Sequence, residues 1–126
     1  MRERERKVGL LLLLIISDQV LKLWALREGI TIINKGISFG ILLSRYLVIL
    51  LIGLSFYLLF HFLRKKGPKV LLILAGGISN LLDRIVNGGV VDFITIPFVP
   101  VFNLADIFVV LGFVLIFIDL SKRRKL

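Results

Sequence analysis

The sequence predicts an all-α membrane protein, four transmembrane helices with short extended or β segments at the outer membrane face. Three observations lead there. Apolar runs such as "VGLLLLLII" (8–16) and "YLVILLIGLSFYLLFHFL" (46–63) are too long for a small water-soluble core. With 58% hydrophobic residues and a mean hydropathy of +1.00, the whole chain has this character. Basic residues gather at alternate junctions between the runs, and the other junctions are rich in β-branched and aromatic residues.

Taken in order, Arg2, Arg4, Arg6 and Lys7 precede a first span over 8–26. This resembles a secretory leader, but no small-x-small cleavage site follows and "SDQVLKLWAL" (17–26) continues the helical pattern. The span is read as retained. A second span covers 42–63 and a third 69–86, separated by Arg64, Lys65, Lys66 and Lys69. The fourth covers 104–121, and Lys122, Arg123, Arg124 and Lys125 follow it. These clusters put both termini and the 64–69 turn in the cytoplasm, so residues 27–41 and 87–103 lie outside. Trp24 and Tyr46 then fall at the outer interface, where amphipathic aromatics are favoured. Residues 1–126 read as one integral membrane domain.

The outer segments contain "GITIINKGISFG" (29–40) and "VVDFITIPFVPVF" (90–102), extended stretches punctuated by Gly and Pro. Backbone at membrane depth must find hydrogen-bond partners, so these segments should pair as a small sheet.

A polar layer crosses the apolar bundle. At 1.5 Å per residue, Asp18 and Asn80 lie roughly 16 Å from the cytoplasmic ends of their spans. Lys22, Asp83, Arg84 and Asp106 lie at about 21–24 Å in a core about 30 Å thick. Asp18 and Lys22 share a face by i,i+4 spacing, as do Asn103 and Asp106 by i,i+3. Gly76, Gly77, Asn80, Asp83 and Arg84 form a stripe on the third span, its small residues open to a neighbouring helix or a helical substrate. The second span offers no ionisable group at that level and reads as packing support. Carboxylates facing lipid are costly, so the stripes should face one another or an aqueous cavity. Asp18–Lys22 can equally be a plain intrahelical ion pair, Asp83 beside Arg84 structural glue, and Asn34 a turn residue. His61 and Asp119 lie far from the layer and read as structural and interfacial.

The +9 formal charge does not indicate nucleic acid, because the cations sit at helix junctions rather than on a face interleaved with aromatics. With no cysteine and one misplaced histidine, no thiolate site, HExxH motif or Ser/His triad is available. No P-loop or GxGxxG is present, and neither metal nor cofactor is expected. What remains is Asp92 and Asp106, with amides and an arginine nearby. Two carboxylates sharing a site separate their pKa values, and one can act as base on a water while the other acts as acid. A proton or ion pathway through the same groups is the competing reading.

Five stretches carry a resemblance: "SDQVLK" (17–22), "NKGISFG" (34–40), "GGISNLLDR" (76–84), "GVVDF" (89–93) and "FNLAD" (102–106). In order and placement they resemble the signature boxes of lipoprotein signal peptidase, the bacterial type II signal peptidase. The resemblance implies an aspartic endopeptidase of the cytoplasmic (inner) membrane, multi-pass, that cuts prolipoprotein signal peptides just before a diacylglyceryl-modified cysteine. It implies Asp92 and Asp106 as the catalytic pair, with Asp18, Lys22, Asn34, Asn80, Asp83, Arg84 and Asn103 shaping the site and positioning substrate. The implied partners are the lipid-modified precursor and membrane lipid, with a monomeric enzyme and no nucleic acid. The apolar part of the precursor is expected alongside spans 1 and 3. Ser79 stands where the family usually has glycine and Ser38 where alanine is usual, and both outer segments are short for the family.

The orientation is testable because the chain lacks cysteine. Lys35→Cys should label from outside intact cells and Gly67→Cys should not; the reverse pattern would overturn the topology.

Overall fold

The computed structural model describes residues 2–35, 41–64 and 67–124. Gly36, Ser38 and Phe39 of the "NKGISFG" stretch, and Lys65, Lys66 and Lys125 of the basic clusters, lie outside the described residues. Four helices are present: α1 (Glu3–Glu28), α2 (Ile41–Arg64), α3 (Pro68–Asn87) and α4 (Leu104–Arg124). Each covers an expected span. α1 starts before Val8 because its basic segment is helix-compatible: Glu3 pairs with Lys7 at 3.3 Å, and Glu5 accepts the Arg2 N–H at 3.3 Å. Pro68 opens α3 at a position that needs no N–H donor. Gly29 and Gly88, at φ +69° and +72°, close α1 and α3 in the left-handed conformation that a side chain would strain.

α1, α3 and α4 are each long and apolar enough to cross a membrane, and the 24-residue α2 contains the apolar stretch Ile52–Phe62. The distribution of side chains is the inverse of a soluble bundle. On α1, Leu13, Ile16, Val20 and Leu23 are exposed, while Asp18, Lys22 and Ala25 are buried. Lipid solvates the first group at no cost, whereas the second must be satisfied inside the protein. α3 is central and touches α1, α2 and α4. Towards the ends that carry the basic clusters, Leu11, Phe62, Leu71, Leu74 and Ala75 form an apolar core. His61 stacks on Tyr57 there, and Asp119 pairs with Lys69.

The outer segments pair as expected, but as two ribbons rather than one sheet. β1 (Ile32–Asn34) pairs antiparallel with β2 (Val90–Asp92), tying the two segments together. β3 (Ile94–Ile96) and β4 (Val99–Phe102) form a separate antiparallel hairpin whose turn holds Phe98 at φ +66°.

The glycines expected to form one open stripe have two different jobs. A β-carbon on Gly76 would collide with the Ala105 carbonyl and lie 2.6 Å from Val109 Cγ2. One on Gly112 would lie 2.8 Å from the Lys69 carbonyl. These two glycines, one on each helix, set the close approach of α3 and α4. Gly77 has open space in front of its Cα. Gly76→Ala should therefore cost about 1–3 kcal/mol by overpacking, with Gly77→Ala near neutral. Thermal unfolding in detergent checks this, and equal effects at the two positions would contradict it.

Candidate active site

The site begins at the first turn of α4. Asn103 is the residue before the helix, and its Oδ1 accepts the Asp106 N–H at 2.9 Å. In return the Asn103 N–H donates to Asp106 Oδ2 at 3.0 Å. This reciprocal pair satisfies free donors of the helix start and locks the Asp106 carboxylate against the end of α4, where the helix dipole favours negative charge. Asn80 of α3 donates its Nδ2 to Asp106 Oδ1 at 2.9 Å.

Asp92 arrives from the other direction, at the end of β2, and is 3% exposed. Asn103 reaches it too, donating from Nδ2 to Asp92 Oδ1 at 2.9 Å. Asn103 thus touches both carboxylates. In the β1–β2 register Ile32 lies opposite Asp92 and Asn34 opposite Val90, which makes Asn34 and Asp92 diagonal neighbours on one face. Asn34 Nδ2 donates to Asp92 Oδ2 at 3.3 Å. Asn34 is therefore part of the site rather than a turn residue. Burial pushes the Asp92 carboxyl above its ordinary value of 3.8, and the Asp106 charge adds to this; the amides of Asn34 and Asn103 and the Lys22 ammonium oppose it.

Behind the two aspartates lies a buried ionic layer. The Lys22 ammonium sits 2.6 Å from Asp18 Oδ2 and 2.6 Å from Asp83 Oδ2, and donates to Asn80 Oδ1 at 3.1 Å. The Asp18–Lys22 pair is thus more than an intrahelical ion pair, since it joins α1 to α3. Ser79 Oγ donates to Asp18 at 2.5 Å, and Gln19 Nε2 donates to Ser79 Oγ at 2.9 Å and Asp83 Oδ1 at 3.0 Å. Gln19 and Ser79 were not singled out as site residues from the sequence. The signal for Gln19 was its i,i+3 spacing to Lys22, which places it on the same side of α1. For Ser79, a hydroxyl where a glycine was expected was the only hint.

Arg84 stands apart from this network. Its Nε is buried and has no hydrogen-bond partner among the described residues. Asp83, its neighbour in sequence, turns instead to Lys22 and to the Val91 N–H.

A cleft of about 440 Å³ opens onto Asn80 and Asp106 between α2, α3 and α4. Leu54 and Leu58 line it from α2, Gly77 from α3, and Val109 and Phe113 from α4. The cleft lies on the α2 side of α3, whereas on the α1 side Gln19 hydrogen-bonds across to α3. The cleft thus has a wall from α2, beyond packing support. Among the described residues no group of three or more His, Cys, Asp or Glu could hold a metal ion. The arrangement offers one carboxylate, Asp106, on an apolar cleft and a second, Asp92, joined to it through Asn103, a combination suited to acid–base chemistry on an apolar chain.

Comparison with known proteins agrees with this fold. Residues 10–122 match the family model described as signal peptidase (SPase) II. A lipoprotein signal peptidase from Clostridium tetani is 34% identical, the match covering 92% of each chain. One from Halothermothrix orenii is 35% identical over 90% of this chain and 94% of its own. A solved structure, described as a bacterial membrane enzyme obtained by the in meso method at 1.9 Å resolution, superposes with a TM-score of 0.81 at 25% identity, covering 92% of each chain. Matched over residues 10–122 and built on four helices, this chain belongs to the signal peptidase II family, the membrane-embedded aspartic peptidases of family A8.

Proposed function

We propose that the protein removes signal peptides from diacylglyceryl-modified prolipoproteins, cutting just before the lipidated cysteine with a water activated between Asp92 and Asp106. The observation that carries this reading is Asn103, which hydrogen-bonds both carboxylates and so ties Asp92 to Asp106, the one that lines an apolar cleft. The cleft suits the apolar segment of a signal peptide lying between α2, α3 and α4. Both termini are then cytoplasmic and the strands outer, supported by the basic residues at the start of α1 and the end of α4.

The chemistry follows from two carboxyls sharing one proton. Asp92, the more buried, holds the proton, and Asp106 takes one from the water as its oxygen attacks the scissile carbonyl. Asp92 gives its proton to the carbonyl oxygen, forming a neutral gem-diol. Collapse of the diol breaks the C–N bond: Asp106 returns its proton to the leaving amine, and Asp92 recovers one from a diol hydroxyl. Water is consumed, and a carboxylic acid and an amine are released. Asn34, Asn80 and Asn103 hold the pair in place, while Arg84 has free donor capacity for the substrate.

Asparagine preserves the shape of aspartate but cannot exchange the proton. Asp92→Asn or Asp106→Asn should each lower turnover by about 10⁴-fold, and the double variant should cost little more, because groups working as a unit are non-additive. Cleavage of a diacylglycerylated precursor in detergent measures this; wild-type turnover in folded Asp92→Asn would sink the assignment. Activity should also persist in EDTA, and a loss restored by a divalent metal would refute the mechanism.

The raised Asp92 value has a stability consequence. A carboxyl whose folded value lies above its unfolded one favours the fold fully below about 3.8, and this is lost as pH rises through the folded value. Asp92→Asn escapes that loss. Its thermal midpoint should exceed the wild type's at pH 7, with the gap closing as pH falls towards 4; a gap that widens in acid would contradict the burial argument.

A further inference from the structure

Three hydrogen-bonded paths leave the Lys22 ammonium, and each ends beside one of the two aspartates. The first runs through Asp18, whose Oδ2 meets the ammonium and whose Oδ1 accepts the Ala105 N–H at 2.8 Å. Ala105 is the residue before Asp106, and its N–H is one of the free donors at the start of α4. The second runs through Asp83, whose Oδ2 meets the ammonium and also accepts the Val91 N–H at 3.1 Å. Val91 is the residue before Asp92. The third runs through Asn80, whose Oδ1 faces the ammonium and whose Nδ2 donates to Asp106 Oδ1. The cation and the Asn103 Nδ2, which donates to the same Oδ1 at 3.0 Å, together set which way that amide points; turned over, Asn80 would present an oxygen to the carboxylate instead of a donor.

We propose that Lys22 is a positioning residue that sets the helix carrying Asp106 and the strand carrying Asp92 at a fixed separation. It acts through two carboxylates that each hold the backbone N–H next to an aspartate. This rests on the reading of Asp92 and Asp106 as the reacting pair. Lys22 is 1% exposed, Asp18 0% and Asp83 2%, so water cannot substitute for any of the three. Without the ammonium, two buried carboxylates repel each other, and the backbone groups they hold move apart. Ser79 adds a donor to Asp18 Oδ2 and Gln19 one to Asp83 Oδ1, which keeps both carboxylates from turning. Near-attack geometry is sensitive on this scale, as displacements of about 1 Å can cost about 100-fold in rate.

The test separates positioning from packing and from substrate contact. In Lys22→Met, kcat on a diacylglycerylated precursor should fall about 100-fold with KM little changed. The pH profile should also move to higher pH, because a cation that lowers the Asp92 value has been removed. The charged groups around Lys22 are Asp18 on its own helix, Asp83 on α3 and Asp92 on β2. Lys22→Arg should recover part of both effects. A wild-type kcat and profile in folded Lys22→Met would overturn the proposal, as would a rise in KM with kcat intact.

If the unpaired charge left by Lys22→Met prevents folding, the single carboxylate variants decide. Amide exchange at Ala105 should quicken about tenfold in Asp18→Asn with Val91 unaffected, and the converse should hold in Asp83→Asn. Exchange that stays as in wild type, or quickens equally at both amides, would overturn the two-path arrangement. Because exchange involves no reaction, it judges this inference alone. The Asp92→Asn and Asp106→Asn turnover judges the pair.

Discussion

An ammonium group removed from water into a membrane bundle loses hydration worth several kcal/mol, and only close anionic partners and hydrogen bonds can offset that. Lys22 has this placement, and the upper half of the molecule is arranged around it. Asp18 and Asp83 supply the anions from α1 and α3, and Asn80 completes the coordination. Asp18 with its other oxygen, and Asp83 with the same one, then reach to the backbone of α4 and β2. A cluster that must be satisfied inside the protein thereby becomes a joint between four elements. An apolar core could not do this, because contacts among Leu and Ile side chains have no fixed direction.

The two halves of the bundle are held by different physics. Towards the basic ends, Leu11, Phe62, Leu71 and Leu74 pack together, and Gly76 and Gly112 bring α3 and α4 into backbone contact. Lipid is as apolar as these side chains, so close packing rather than water exclusion stabilises this half. Towards the strands, hydrogen bonds to charged groups take over. The apolar half thus forms a closely packed floor beneath the polar one.

Asn103 joins floor and site in a single residue. It caps α4, contacts Asp106 through its backbone, and contacts Asp92 and Asn80 through its amide. β1 closes over the same place from the first outer segment and brings Asn34 to Asp92. Neither Asp92 nor Asn34 lies on a transmembrane helix, so the pairing of two short strands does for them what helix packing does for Asp106.

By itself the sequence determined the four spans, the polar faces and the five stretches that resemble signal peptidase II, because hydropathy and helical period are local properties. Asp18, Lys22, Asp83 and Asp106 stood out through the cost of placing charged groups in lipid, whereas Asp92 and Asn34, off the spans, were assigned to a site by that resemblance. Only the tertiary structure decided how the faces meet. Periodicity puts Gly76 and Gly77 on one stripe, yet a rotation of one residue sends Gly76 into α4 and Gly77 into the cleft. It likewise turns Asp83 towards Lys22 and leaves the Arg84 Nε without a partner among the described residues. Gln19 and Ser79 were not read as site residues because a neutral side chain gives little sign of its role until its partner stands about 3 Å away. The division of the outer strands into two ribbons depended on long-range pairing between residues 32–34 and 90–92, which neither segment encodes alone.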